Sequence, residues 1–251
     1  MEVRQRERLD RVLVAKGLAG SRQRAQALIM AGRVLVEEKR VEKAGAKVSL
    51  DSNIRIKGED IPYVSRGGIK LEKALKEFRI DVGGKTIIDV GASTGGFTDC
   101  LLKQGAARVY AVDVGYGQLA WKLREDPRVI CLERTNIRYL SPPKITEPVD
   151  LAVIDTSFIS LEKVLPKVSQ LVREDAEIIA LIKPQFEVGK GQVGKGGIVR
   201  EASKQKEVIE RISGFAERLG LVAAGVIESP IPGQEGNREF FIYLKKRKVL
   251  L

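Results

Sequence analysis

Three glycines, an acid some way behind them and two charges that end apolar runs are the residues here with the types and spacing for chemistry. Between Thr86 and Thr98 the chain reads T-I-I-D-V-G-A-S-T-G-G-F-T. Ile87-Ile88-Asp89-Val90 has the length and β-branching of a buried parallel strand. Gly91, Gly95 and Gly96 follow, and a helical apolar period starts at Phe97. A strand that turns through glycines into a helix brings bare backbone N–H groups close to a ligand. The next apolar run, Arg108 to Val114, carries Asp113 near its end. That acid lies about twenty residues past the first glycine, the spacing that brings a carboxylate to the ribose hydroxyls of a nucleoside cofactor.

The turn is not the dinucleotide G-x-G-x-x-G, because Ala92 and Ser93 stand before Thr94-Gly95-Gly96. It suits a compact zwitterion better than a pyrophosphate set on a helix N-terminus, and S-adenosylmethionine is such a ligand. Its expected contacts are Gly91, Ala92, Ser93, Thr94, Gly95, Gly96, Phe97 and Asp113, with Asn136 after the third strand on the adenine. Two further strands end in charge: Leu151–Ile154 runs into Asp155, and Ile178–Ile182 runs into Lys183-Pro184. Ligands of open α/β sheets bind beyond such carboxyl ends, and Pro184 keeps Lys183 extended. Lys70 falls in the first turn of a helix expected over 69–78, where the macrodipole disfavours a cation. That placement hints at a task elsewhere.

The chain has no histidine, which removes Ser-His-Asp and Cys-His triads and histidine-ligated metal sites together. No metal is expected, and a general base must be Lys, Asp, Glu or the substrate. After the fourth strand come Asp155-Thr156-Ser157-Phe158, not the Pro-Pro-aromatic run of enzymes that methylate base amino groups. Methylation at a pyrimidine carbon needs a cysteine nucleophile near these edges, but Cys100 and Cys131 fall inside an expected helix and strand and read as buried free thiols. A hydroxyl acceptor remains.

The elements that must hold these residues follow from the rest of the pattern. Strands are expected at 86–92, 108–114, 129–133, 149–155, 177–183, 221–228 and 239–245, with helices near 96–104, 117–125, 160–172 and 201–219. Alternation of this kind gives a doubly wound, mostly parallel sheet. The short loop from Ser229 to Arg238 implies an antiparallel partner at its edge. Residues 1–60 form a small α+β unit with helices at 8–18 and 22–31, the second capped by Ser21, and strands at 34–36, 48–50 and 54–56. A linker over 61–68 leads into a second domain, 69–251. The chain of 251 residues is 43% hydrophobic and 31% charged, as in an ordinary globular protein. Its net charge of +11 favours a polyanionic partner, of which nucleic acid is the commonest. No apolar run approaches the roughly 18 residues of a membrane span, and the mixed-charge start is not a signal peptide. A cytoplasmic protein is expected. Gly189–Lys195 matches the start of a P-loop, but Gly196 replaces the metal-binding hydroxyl and the segment does not follow the first strand. We read it as a basic loop that brings Lys190 and Lys195 to an RNA backbone.

The stretches R-L-D-R-V-L-V-A-K-G-L and S-R-Q-R-A-Q-A-L-I-M-A-G-R-V-L-V resemble the S4 RNA-binding fold. The resemblance implies phosphate contacts from Arg8, Arg22 and Lys43, and Arg66 at the linker is assigned to RNA with them. Seven strands closed by a hairpin resemble the Rossmann-like methyltransferase fold. With S-R-G-G-I-K, G-A-S-T-G-G-F-T-D, D-V-G-Y-G-Q-L-A-W, D-T-S-F-I-S-L and K-P-Q-F-E-V-G-K added, essentially the whole chain resembles the TlyA family, often labelled haemolysins. Membership implies S-adenosylmethionine-dependent 2′-O-methylation of ribose in ribosomal RNA, with cytidine targets in one or both ribosomal subunits. It also implies a tetrad shared with FtsJ-type enzymes, which falls on Lys70, Asp155, Lys183 and Glu239. In-line positioning would supply much of the rate. Lys183 would orient the 2′-hydroxyl and accept or steer its proton, with Lys70 beside it and the two carboxylates orienting the lysines. The expected protein is a monomer. Two other readings are a non-catalytic RNA-binding assembly factor and, from the family's label alone, a membrane-lytic protein without any amphipathic lytic segment to support it.

Overall fold

The computed structural model describes residues 6–57 except 31, and 61–247 except 141–143, 190, 195, 234 and 235; the side chains of Gln23 and Ala27 are also outside it. The chain divides into two compact units, Met1–Asp60 and Ile61–Leu251. In the first unit the order is β1 (Arg6–Arg8), α1 (Leu9–Ala15), α2 (Arg22–Met30), β2 (Val34–Val36), β3 (Lys39–Arg40), β4 (Lys47–Ser49) and β5 (Ile54–Ile56). β1 pairs antiparallel with β4, and β2 lies between β3 and β5. Leu9, Val12 and Leu13 of α1 meet Ala25, Leu28 and Ile29 of α2, with Val34, Val48 and Ile54 closing the core. Ser21 accepts from the Arg24 N–H at 3.2 Å, as the cap at its position requires. α1 stops at Ala15, short of the expected 18, where Gly17 turns left-handed at φ +69°. β1 and β3 are additions to the expected elements; they are two or three residues long, too short to show a period.

The second unit runs α3 (Gly67–Phe78), β6 (Thr86–Val90), α4 (Gly96–Lys103), β7 (Arg108–Val112), α5 (Trp121–Arg124), β8 (Val129–Leu132), β9 (Val149–Ile154), α6 (Leu165–Leu171), β10 (Val172–Ile182), α7 (Pro184–Glu187), α8 (Ala202–Arg218), β11 (Leu221–Glu228) and β12 (Phe240–Lys246). Its seven strands lie in the order β11-β12-β10-β9-β6-β7-β8. The chain builds outward from β6 to β8, then returns to the other side of β6 with β9. That reversal opens a crevice at the carboxyl ends of β6 and β9. One face of the sheet packs Ile88, Val90, Ala152 and Ile178 against α6 and α8; the other packs Ile87, Leu151 and Ile179 against α3 and α4.

This is the expected seven-stranded α/β sheet, with one change at its edge. β12 is antiparallel to both neighbours but stands second from the edge, and β11 is outermost. The expected helix at 117–125 contracts to α5, and the one at 160–172 splits into a 3-10 turn over Leu161–Lys163 and α6, with Pro166 in the first turn of α6. α3 begins at Gly67, so the last two residues of the expected linker are helical. The rest of that segment is fastened down: Tyr63 is buried, its hydroxyl donates to Glu72 at 2.8 Å, and the Val64 N–H donates to Asp99 at 2.8 Å. No helix among the described residues is long and apolar enough to cross a membrane.

Candidate active site

β6 is buried along its whole length, and its exit sets the geometry of the crevice. Gly91 takes φ +87°, and its N–H donates to the Val112 carbonyl at 2.8 Å. A Cβ there would lie 2.5 Å from the Asp155 carbonyl oxygen, so only glycine lets β6 and β9 end side by side. The other two glycines also make room for neighbouring elements. A Cβ on Gly95 would strike Leu123 and Leu119, and one on Gly96 would strike Ser65 and the start of α3. They let helices close on the turn, as the third glycine of a nucleotide fingerprint does.

Asp113 ends β7 where the spacing placed it, but its carboxylate is already engaged. Oδ2 accepts the Ser93 N–H at 2.8 Å and Oδ1 accepts the Gly115 N–H at 2.7 Å. It fastens the glycine turn to the loop after β7 and holds Ser93 at φ +48°. Each oxygen keeps a second lone pair for a ligand hydroxyl. A cavity of about 410 Å³ lies beside it, lined by Gly91, Ser93, Asp113, Val114, Asn136 and Phe158 among others. Asn136 caps a 3-10 turn by accepting the Arg138 N–H at 3.1 Å. Behind the turn, Asp89 is fully buried with one oxygen on the Thr98 hydroxyl at 2.7 Å. Burial pushes its carboxyl up to about 7; the Thr98 bond pulls the other way, and the charges of Asp155 and Asp113 add to the rise.

A second cavity of about 610 Å³ shares Gly91, Ser93 and Asp155 with the first and brings Lys70, Asp155, Lys183 and Glu239 together. Each lysine has its own carboxylate. Lys70 Nζ lies 2.6 Å from Glu239 Oε2, and Lys183 Nζ lies 2.6 Å from Asp155 Oδ1. Lys183 donates a hydrogen bond to Ser157 Oγ at 2.8 Å, whereas its contact with the buried Asp155 Oδ1 is an ion pair without hydrogen-bond geometry. Lys183 and Glu239 are buried and Lys70 nearly so, with a side chain 12% exposed. Lys70 therefore leaves the helix end that disfavours it for a buried carboxylate 169 residues away. Ala92, Thr94, Gly96, Phe97 and the exposed Arg66 line the same cavity, whereas Gly95 lines neither.

The arrangement depends on residues that sequence reasoning passed over. Glu187 in α7, buried, accepts from Ser160 Oγ at 2.7 Å and from the Leu161 N–H at 2.8 Å, and Arg211 of α8 meets it at 3.4 Å. It ties the loop after Asp155 to the helix after Lys183. On that loop Phe158 is 85% exposed, held at φ +63°, and packed on Phe186 with centroids 4.8 Å apart. A bulky residue in that backbone region is strained, which functional sites tolerate. Asn237 anchors the segment before α8, accepting the Val199 N–H at 3.0 Å and donating to the Gly197 carbonyl at 2.9 Å. Phe158 was legible as a lone aromatic after a strand-ending acid. Glu187 and Asn237 had no local signal.

Neither thiol lines either cavity. Burial pushes the Cys100 thiol up to about 12 and raises that of Cys131; Cys131 is half-buried, not buried as expected. In the first unit, Arg8 and Arg22 converge on one fully buried carboxylate. Asp10 accepts Arg8 Nη2 at 3.0 Å, Arg22 Nε at 2.9 Å and Gln26 Nε2 at 2.9 Å. Those bonds, the Arg8 bond foremost, hold its carboxyl well below the usual range. The two arginine side chains stay 39% and 51% exposed, and Lys43 is exposed in the turn before β4. Lys190 and Lys195 lie outside the described residues.

Comparison with known proteins matches these two units separately. The model of the FtsJ-like methyltransferase family matches residues 63–246, and that of the S4 domain matches residues 7–54. The 16S/23S rRNA (cytidine-2'-O)-methyltransferase TlyA of Mycobacterium tuberculosis is 49% identical over 241 residues, 96% of this chain and 90% of that protein. Hemolysin A of Brachyspira hyodysenteriae is 40% identical over 94% of this chain and 98% of its own. A hemolysin candidate of solved structure from Streptococcus thermophilus is 44% identical, with a TM-score of 0.77 over 98% of this chain and 90% of its own. A family model that covers the whole crevice, and relatives that match both units at once, place this chain in the FtsJ-like methyltransferase family, among the S4-bearing TlyA proteins.

Proposed function

We propose that the protein methylates a ribose 2′-oxygen in ribosomal RNA, on cytidine, using S-adenosylmethionine. The observation that carries this reading is the meeting of two lysine–carboxylate pairs, Lys70–Glu239 and Lys183–Asp155, in a cavity that opens on the glycine turn. The residues of the neighbouring cavity fit the cofactor. Gly91 leaves the strand ends bare, Asp113 has lone pairs for ribose hydroxyls, and about 410 Å³ suits a ligand of that size. When bound, S-adenosylmethionine supplies a methyl group activated by its sulfonium.

The chain's own residues then have separable tasks. Ser157 and Asp155 hold Lys183 Nζ at the cavity wall, where it reaches the acceptor oxygen and orients it or takes its proton. Lys70, locked to Glu239, adds positive potential at the same wall. Phe158 offers an exposed ring for the target base, and Arg66 at the mouth suits a phosphate. In the first unit Arg8, Arg22 and Lys43 serve the RNA backbone, and Lys190 and Lys195 are assigned to it as well. A cytosolic monomer that acts on ribosomal subunits is part of the same proposal. The test is methyl transfer from labelled S-adenosylmethionine to purified subunits; a chain that binds subunits but transfers nothing would be an assembly factor instead.

Two substitutions probe the two units. Asp113→Ala removes the acceptor for two loop N–H groups as well as the ribose contact. Calorimetry should show S-adenosylmethionine affinity falling by tenfold or more, and unchanged affinity would remove Asp113 from the cofactor site. Asp10→Asn removes one negative charge from an RNA-binding unit, which by charge alone should tighten binding. If Asp10 instead sets the arginines in place, subunit affinity falls, and the salt dependence flattens by about one ion for each arginine lost.

A further inference from the structure

Among the described residues, the exposed aromatic side chains sit along one edge of the second unit. Tyr116, Trp121, Tyr139 and Phe158 are 69%, 65%, 76% and 85% exposed, and all follow the carboxyl ends of β7, β8 or β9. Scattered apolar residues on a surface need no explanation, but a gathered set does. Two of these rings are covered by guanidinium groups. Arg134 stands 4.1 Å from the Tyr116 centroid and Arg138 stands 5.1 Å from that of Tyr139. The loops that carry them are joined: the Arg134 N–H donates to the Gly115 carbonyl at 3.0 Å, and the Gln118 N–H donates to Glu133 at 3.2 Å. Val114, 70% exposed, and Phe158 line the cavity beside Asp113 with Asn136, which begins the turn that carries Tyr139.

Aromatic faces interleaved with arginines, beside a site that takes a nucleotide, match unpaired RNA: bases stack on the rings, and guanidinium groups meet phosphates or stack in turn. A duplex offers no free base faces to such a surface. We propose that the loops after β7 and β8 form a stacking platform for unpaired nucleotides flanking the target, with Tyr116–Arg134 and Tyr139–Arg138 as its two stations. The proposal rests on the reading that the substrate is RNA. It adds a second contact on the methyltransferase unit, apart from the first unit and from the tetrad.

Trp121, the one tryptophan of the chain, opens α5 directly after the first of these loops and serves as a reporter. The full chain is titrated with a single-stranded oligoribonucleotide of about ten nucleotides and with the corresponding duplex, at two salt concentrations. Trp121 fluorescence should be quenched by the single strand and much less by the duplex. Tyr116→Ala and Tyr139→Ala should each weaken single-strand binding roughly tenfold with no change in salt slope, because stacking releases no ions, and Tyr→Phe at either place should restore it. Arg134→Ala should flatten the slope by about one ion. Both tyrosines are exposed, so melting temperatures should stay put and methyl transfer by the bound enzyme should keep its kcat while KM rises. Alanine variants that bind single strands like the parent would overturn the platform while leaving methylation of subunits, scored separately, intact. So would a concentration-dependent dimer that Tyr116→Ala dissolves, since the face would then serve a second copy. A parent chain that bound no RNA would overturn the platform and the substrate reading together.

Discussion

Lys183→Ala should lower methyl transfer by roughly 10²–10⁴-fold, the range of a lost proton-handling group, while S-adenosylmethionine and subunit binding stay nearly unchanged. The side chain is buried at the end of β10 with two fixed partners, Asp155 at 2.6 Å and Ser157 at 2.8 Å, and the chain has no histidine to replace it. Lys183→Arg separates two ways of acting. An ammonium held by Asp155 can donate to the 2′-oxygen, and guanidinium would partly retain that. A neutral amine can take the proton, and guanidinium cannot. Arginine as damaging as alanine makes Lys183 the base; arginine that restores most activity makes it a positioner. Activity preserved in alanine would mean that the tetrad is misassigned.

Removing residues 1–60 should abolish methylation of ribosomal subunits and leave cofactor affinity unchanged. The cofactor-side residues, from Gly91 to Asn136, all lie in the second unit, whereas the arginines assembled on Asp10 lie in the first. Filter binding of the full chain to subunits should fall steeply with salt, since phosphate contacts release counterions; the truncated chain should show a weaker and flatter dependence. A truncated chain that methylates subunits at the full rate would refute this division of labour.

The parts of the molecule legible in the sequence are those written in local pattern. β9 from Leu151 and the second half of β10 are buried on both faces, so they read as unbroken apolar runs, and the charge that ends each run is conspicuous; β6, which carries Asp89, ends in glycine instead. Asp155 and Lys183 were therefore visible before any fold was known. β10 begins at Val172 and not 177 because V-R-E-D-A hides its start in charge, with a register shift against β9 over that stretch. Spacing gave the place of Asp113 but not its two backbone partners. Gly95 and Gly96 were visible as glycines, yet what they accommodate, Leu119, Leu123 and the start of α3, comes from elsewhere in the chain. Glu187 and Asn237 reach partners 26 and 40 residues away. Asp10 reads as a solvated acid in a short amphipathic helix until Arg22 and Gln26 are folded onto it.

The central claim is that the acceptor is a ribose oxygen and that the Lys183 cavity serves it. Its most direct test is the chemical position of the transferred methyl. Ribosomal subunits that lack the modification would be incubated with the full chain and S-adenosylmethionine, and their RNA digested to nucleosides for mass spectrometry. The account predicts 2′-O-methylcytidine, with the methyl on the ribose fragment, and its absence when the Lys183→Ala chain replaces the parent. A methyl group found on the base fragment, or equal 2′-O-methylation by the Lys183→Ala chain, would contradict it.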